Sequence, residues 1–99
     1  MTITEERNND VVTFIIEGRL DTTTAPTLEK TINETVDEIK ELILDMNQLT
    51  YISSAGLRVL LSAQKKMSKI GTMKLIGVCE EVMDVFEMTG FVDILNIEN

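Results

Sequence analysis

Histidine is absent from this chain of 99 residues. Its absence removes the commonest general base, the commonest transition-metal ligand and the physiological pH switch together. A hydrolytic triad or a zinc centre would need unusual substitutes, so neither a metal nor a cofactor is expected. Cysteine occurs once, at Cys79, so no intrachain disulfide forms. In "KLIGVCEEV" it follows an apolar run and is expected as a small buried or half-buried residue. There is no P-loop and no dinucleotide-binding glycine pattern. Without these features an enzyme is not expected. No apolar run approaches the ~20 residues that span a bilayer. Basic residues are few, 9 against 17 acidic ones, for a net charge of -8 and a pI near 4.4. Such a surface repels phosphate backbones and anionic headgroups, so nucleic-acid and membrane partners are not expected. The opening "MTITEERNND" is polar and acidic, unlike a signal peptide, and cytoplasmic residence is expected.

What is present has an ordinary globular balance, 43% hydrophobic and 26% charged. The length fits a single domain over residues 1–99. At this size folding buries roughly 60–70% of the unfolded chain's surface, enough for one core. "TITEE" reads as an edge-like strand, "RNND" as a turn, and "VVTFIIEG" as a buried strand. Then Thr23 or Thr24 caps a helix with Pro26 in its first turn. Leu28, Ile32, Val36 and Ile39 recur at helical spacing, opposite a largely acidic face. "ELILDM" is a short strand, with Asp45 at its carboxyl end and "NQLTYI" leading onward.

From Ala55 to Ile70 the pattern is helical again. Gly56, Leu60, Ala63, Met67 and Ile70 form its apolar stripe, and Lys65, Lys66 and Lys69 suit its last turns. Gly71 is expected as its cap. "TMKLIGV" is a strand. "EEVMDVFEMTG" is a third helix with Val82, Val85 and Phe86 toward the core and Gly90 as its stop. "FVDILNIEN" gives a last short strand and a frayed end. Met46, Met73, Met83 and Met88 are expected mainly as core filling. The order β-β-α-β-α-β-α-β implies an α/β fold with a mixed, mostly parallel sheet of about four to five strands, helices packed on it. Function in such sheets collects at the carboxyl ends of strands. The loops "RLDTTTA" and "NQLTYISSAG" are expected to meet there. The free chain is expected to be a monomer, since core faces account for most apolar residues.

In "YISSAGLRVLL" two serines stand at the expected helix start, where first-turn N–H groups lack partners. A serine hydroxyl satisfies one of them, typically worth ~1 kcal/mol. The same place suits a phosphate, which adds about -1.5 to -2 charges. A partner docked there would meet a strongly hydrated dianion while the fold stayed intact. Ala55 and Gly56 are small and allow close approach. Arg58 is expected on the outer face, as a solvated charge or as a pair for the partner or the phosphate.

Three segments carry a resemblance: "EGRLDTTTAPTLE", "LILDMNQLTYISSAGLRVLL" and "VMDVFEMTGFVDILNI". Together they resemble the STAS domain, specifically the small stand-alone bacterial anti-sigma factor antagonists. The resemblance implies the STAS fold and a partner switch. An ATP-using, kinase-type anti-sigma factor phosphorylates one serine. The phosphorylated antagonist cannot hold the anti-sigma factor, and a metal-dependent serine phosphatase restores it. The free form then sequesters the anti-sigma factor and releases a sigma factor for transcription. The family's acceptor motif is Asp-Ser-(Ser/Thr)-Gly. Carried onto this chain it places the acceptor at Ser54, with Ser53 where the family has aspartate and Ala55 where it has a second hydroxyl. Ser53 is the alternative acceptor. Asp21 matches a loop aspartate that contributes to partner binding, and Thr22, Ser53, Ala55, Gly56 and Arg58 complete the expected contact set. The departures at Ser53 and Ala55 leave a second reading open, a constitutive STAS subunit of a lipid-transport or stress-sensing complex.

Overall fold

The computed structural model describes residues 1–98; Asn99, the last residue of the expected frayed end, lies outside them. The elements are β1 (Thr2–Asn8), β2 (Val11–Leu20), α1 (Ala25–Asn33), a 3-10 turn (Val36–Glu38), β3 (Glu41–Ile52), α2 (Ser54–Ile70), β4 (Thr72–Ile76), α3 (Glu80–Thr89), a second 3-10 turn (Phe91–Asp93) and β5 (Ile97–Glu98). The five strands lie in sequence order, β1-β2-β3-β4-β5. β1 runs antiparallel to β2 and the other pairs are parallel. This is the expected α/β order and mixed sheet.

Sequential order explains where the core lies. Right-handed crossovers that always step the same way put their helices on one face of the sheet. Val12, Phe14 and Ile16 of β2, Leu42 and Leu44 of β3, and Met73 and Leu75 of β4 are buried on that face. They pack with Leu28 and Ile32 of α1, Leu57, Leu60, Ala63 and Met67 of α2, and Val82 and Phe86 of α3. Val85 is partly buried against the same core. The alternate residues Val11, Thr13, Ile15 and Ile43 are only half-buried. The strand "VVTFIIEG" is therefore buried on one face, not on both.

Four expectations need correction. The first helix stops at Asn33, and Ile39 is already extended with φ -131°. Thr31 and Thr35 donate their hydroxyls to the carbonyls four residues back, at 2.9 Å each, which competes with helix continuation. Val36 and Ile39 still reach the core. Ile70 is 38% exposed, where the stripe placed it inside, and lines a surface depression with Val36 and Asn33. Met88 is 83% exposed, although Met46 and Met73 do fill the core.

The fourth correction is the largest. β3 does not end at Met46 but runs to Ile52. Its pairing with β2 slips twice, between Ile15 and Glu17 and between Gly18 and Arg19. Each slip gives β3 an extra residue, as in a β-bulge. Burial beyond Met46 then recurs every third residue, at Met46, Leu49 and Ile52. Asp45 is interior to the strand, and its Oδ1 accepts the Asn47 N–H at 3.0 Å and the Asn47 Nδ2–H at 2.8 Å. Cys79 is half-buried as expected, its thiol 3.5 Å from the Leu49 carbonyl.

Candidate functional site

The extension of β3 decides how the site is built. Strand ends meet at the carboxyl edge, not two loops. Arg19 pairs with Tyr51 and Leu20 with Ile52 in the parallel ladder. The Ser53 N–H then donates to the Leu20 carbonyl at 2.9 Å. The chain turns away from the sheet on both sides of this bond, into Asp21 on one and α2 on the other.

Ser53 is the N-cap of α2, with φ -102° and ψ 176°. Its hydroxyl accepts the Gly56 N–H at 3.4 Å, and its carbonyl accepts the Leu57 N–H at 3.0 Å. Ser54 is the first helical residue and is exposed. Among the described residues its hydroxyl has no hydrogen-bond partner. The capping role therefore falls to Ser53, and Ser54 stays uncommitted. Ala55 is half-buried against the core, and Gly56 is buried beneath the helix start. A Cβ at Gly56 would stand 2.8 Å from Ile52 Cγ1 and from Leu20 Cγ, so the glycine lets α2 sit on the two strand ends. Arg58 is exposed, one turn along α2.

Asp21 organises the facing turn. Its Oδ1 accepts the N–H groups of Thr23 at 3.0 Å and Thr24 at 3.1 Å. The Thr24 hydroxyl accepts the Asp21 N–H at 2.9 Å and lies 2.8 Å from the Arg19 carbonyl. Thr24 is the N-cap of α1 but makes no side-chain cap; Asp21 performs that service for the turn. The Thr24 N–H holds the Asp21 carboxyl below its ordinary pKa. Partial desolvation opposes this, and the Thr23 N–H, the Thr24 hydroxyl and Arg19 add to it. Asp21 is thus a fixed carboxylate beside the serine step, and Thr22 is exposed at the tip of its turn.

Sequence reasoning missed Arg19 and Tyr51. The Arg19 guanidinium carbon lies 4.1 Å from the centre of the Tyr51 ring, and Arg19 Nε is 3.8 Å from Asp21 Oδ2. Both side chains are exposed, Tyr51 at 40%. Reading "NQLTYI" as a loop hid their register. Recognising Tyr51 as a strand residue opposite Arg19 would have found the pair.

Asp21, Thr22, Ser53, Ala55 and Gly56 therefore stand at one edge of the sheet, with Ser54 exposed among them and Arg58 one turn up the helix. Among the described residues no group of three or more acidic or cysteine side chains could hold a metal ion. No helix among them is long and apolar enough to cross a membrane. The family model described as "STAS domain" matches residues 2–99. The chain belongs to the STAS domain family. The anti-sigma-B factor antagonist of Listeria monocytogenes is 30% identical over 99 residues, covering 96% of this chain and 85% of the relative. An anti-sigma factor antagonist structure from Mycobacterium paratuberculosis superposes with TM-score 0.88 at 24% identity, covering 97% of this chain and 83% of that one. The anti-sigma factor antagonist SpoIIAA in its unphosphorylated form gives TM-score 0.80 at 15% identity, covering 99% and 88%. Its phosphorylated form gives 0.78 at 16%, covering 99% and 92%. Within the STAS domain family this chain groups with the anti-sigma factor antagonists.

Proposed function

We propose that this STAS domain is a phosphorylation-controlled antagonist. With Ser54 unmodified it sequesters a kinase-type anti-sigma factor and so frees a sigma factor. It acts by binding, not catalysis, as a cytoplasmic protein and as a monomer when free. The observation that carries the reading is Ser54: an exposed hydroxyl without a described partner, at a helix start whose cap is already supplied by its neighbour. A kinase can reach it without dismantling the fold. The fixed Asp21 turn gives a partner a rigid surface beside Ser54, while Gly56 faces inward and lets α2 sit on the ends of Leu20 and Ile52. Asp21, Thr22, Ser53, Ala55 and Arg58 are the contact set, and Ser54 is the switch inside it; Gly56, expected among them, is buried and serves the seat of α2 instead. ATP bound by the anti-sigma factor supplies the phosphoryl group, and a metal-dependent serine phosphatase removes it. Ser53 is disfavoured as acceptor because its oxygen is engaged at the Gly56 N–H.

A phosphate at Ser54 would force a buried dianion against any docked surface. Such juxtaposition costs several kcal/mol, and every ~1.4 kcal/mol is tenfold in affinity. Ser54→Asp should weaken binding to the anti-sigma factor kinase of the host by about a hundredfold, whereas Ser54→Ala should bind yet resist phosphorylation. Phosphopeptide mass spectrometry on protein from growing and stressed host cells should locate the modification at Ser54. An unmodified peptide in every condition, with Ser54→Asp binding unchanged, would turn the assignment to a constitutive subunit of a larger complex.

A further inference from the structure

Ser54 and Arg58 stand four residues apart on α2, and both are exposed. Residues at this spacing are neighbours on a helix surface. Helical side chains also lean toward the N-terminal turn, so a long side chain at Arg58 covers the surface beside Ser54. The other two arginines are engaged. Arg7 pairs with Glu5 at 3.5 Å and Glu38 at 3.7 Å, and Arg19 pairs with Asp21 at 3.8 Å. Arg58 has no ion pair or hydrogen bond among the described residues. In a chain of net charge -8 an exposed, uncommitted guanidinium beside an uncommitted hydroxyl is a specific juxtaposition.

Resting on the reading of Ser54 as the switch, we infer that Arg58 is the internal counter-ion of phosphoserine 54. A guanidinium presents N–H donors in a fork that matches phosphate oxygens. Phosphorylation then does two things. It adds a dianion to the docking surface, and it withdraws Arg58, which the unmodified protein offers to its partner. One modification thereby removes an attraction and installs a repulsion, with no change of fold.

The test uses full-length protein with phosphoserine installed at position 54 by an expanded genetic code. It needs neither partner nor kinase, so it gives a result even if the host never phosphorylates Ser54. Phosphorus NMR titration reads the second phosphate pKa, ordinarily near ~6. A cation beside the phosphate favours the dianion and lowers this pKa. Arg58→Ala should raise it by about 0.3 unit, the size of an i,i+4 pair on a helix, and Arg58→Lys should restore part of the difference. Lys65→Ala removes a like charge about 16 Å from Ser54 along the helix axis and should leave it unchanged. The Arg58 Nε–H should exchange more slowly with solvent in the phosphorylated protein than in the unmodified one. Equal titrations for Arg58→Ala and the parent would overturn the inference. So would a shift on Arg19→Ala with none on Arg58→Ala, because the counter-ion would then come from β2.

Discussion

Gly56 sets two physical effects against each other, and the structure gives the sign. It lies in the first turns of α2, and glycine in a helix is less favourable than alanine by about 1 kcal/mol. On propensity alone Gly56→Ala should stabilise. The added Cβ would lie 2.8 Å from Ile52 Cγ1, 2.8 Å from Leu20 Cγ and 3.1 Å from Leu20 Cδ2. Leu20 is fully buried and Ile52 is 4% exposed, so neither can swing into water. Overpacking of this kind costs about 1–3 kcal/mol. A midpoint of about 2 less the helical gain of about 1 leaves a net loss of about 1 kcal/mol. In a domain of this size that lowers Tm by about 4–8 °C. Urea unfolding should show a lower midpoint at an unchanged slope. The clash also presses on the residues that precede Asp21 and Ser53, so amide shifts should concentrate at both turns. A Tm above that of the parent would refute the reasoning, since the seam between helix and strand ends would then have room for a methyl group.

Three further outcomes test the frame around the site. Gly71→Ala should cost about 3 kcal/mol by urea unfolding, because its Cβ would lie 1.7 Å from the Lys40 carbonyl oxygen, a backbone atom that also accepts the Thr72 N–H. Gly90→Ala should cost only about 1 kcal/mol on the same assay, because a Cβ there meets nothing within 4 Å and only the left-handed φ of 81° is strained. Asp21 titrates below 3.8 in the folded chain, so its contribution is complete above that value and is lost as pH falls through the folded pKa. Urea midpoints should therefore decline less steeply below pH 3.8 in Asp21→Asn than in the parent, and parallel declines would refute the role of the carboxylate.

The parts of the fold that sequence disclosed are those where periodicity stays constant. α2 keeps its buried apolar spacing as far as Met67 and α3 as far as Phe86, and Ser53 and Gly90 mark the start of the one and the end of the other. β3 does not. Its first half alternates and its second half repeats in threes, because two register slips rotate the side chains. A period of three belongs to neither regular element, so "NQLTYI" looks like a loop. The same slips place Tyr51 opposite Arg19, and for that reason the stacked pair beside Asp21 could not be read from spacing. The first helix failed differently. Val36 and Ile39 are core residues at helical spacing, yet two threonine hydroxyls compete for the carbonyls that would carry the helix to them.

The two serines themselves resolve into different physical roles. A helix start needs one acceptor for its unpaired N–H groups, and a chemical switch needs a hydroxyl whose loss costs the fold little. One residue cannot serve both ends well, since phosphorylating a capping oxygen would disturb the helix it secures. Here Ser53 accepts from Gly56 and anchors its own N–H on Leu20, so it is held from both sides. Ser54 is exposed and makes no such bond among the described residues. Ser53 stands where the family motif has aspartate, another good cap. The departure from the motif therefore keeps the cap while removing a charge beside the acceptor proposed here, Ser54. A phosphate arriving at Ser54 meets one carboxylate fewer than the family motif would present. With that repulsion gone, Arg58 is left as the charged side chain nearest to it along α2.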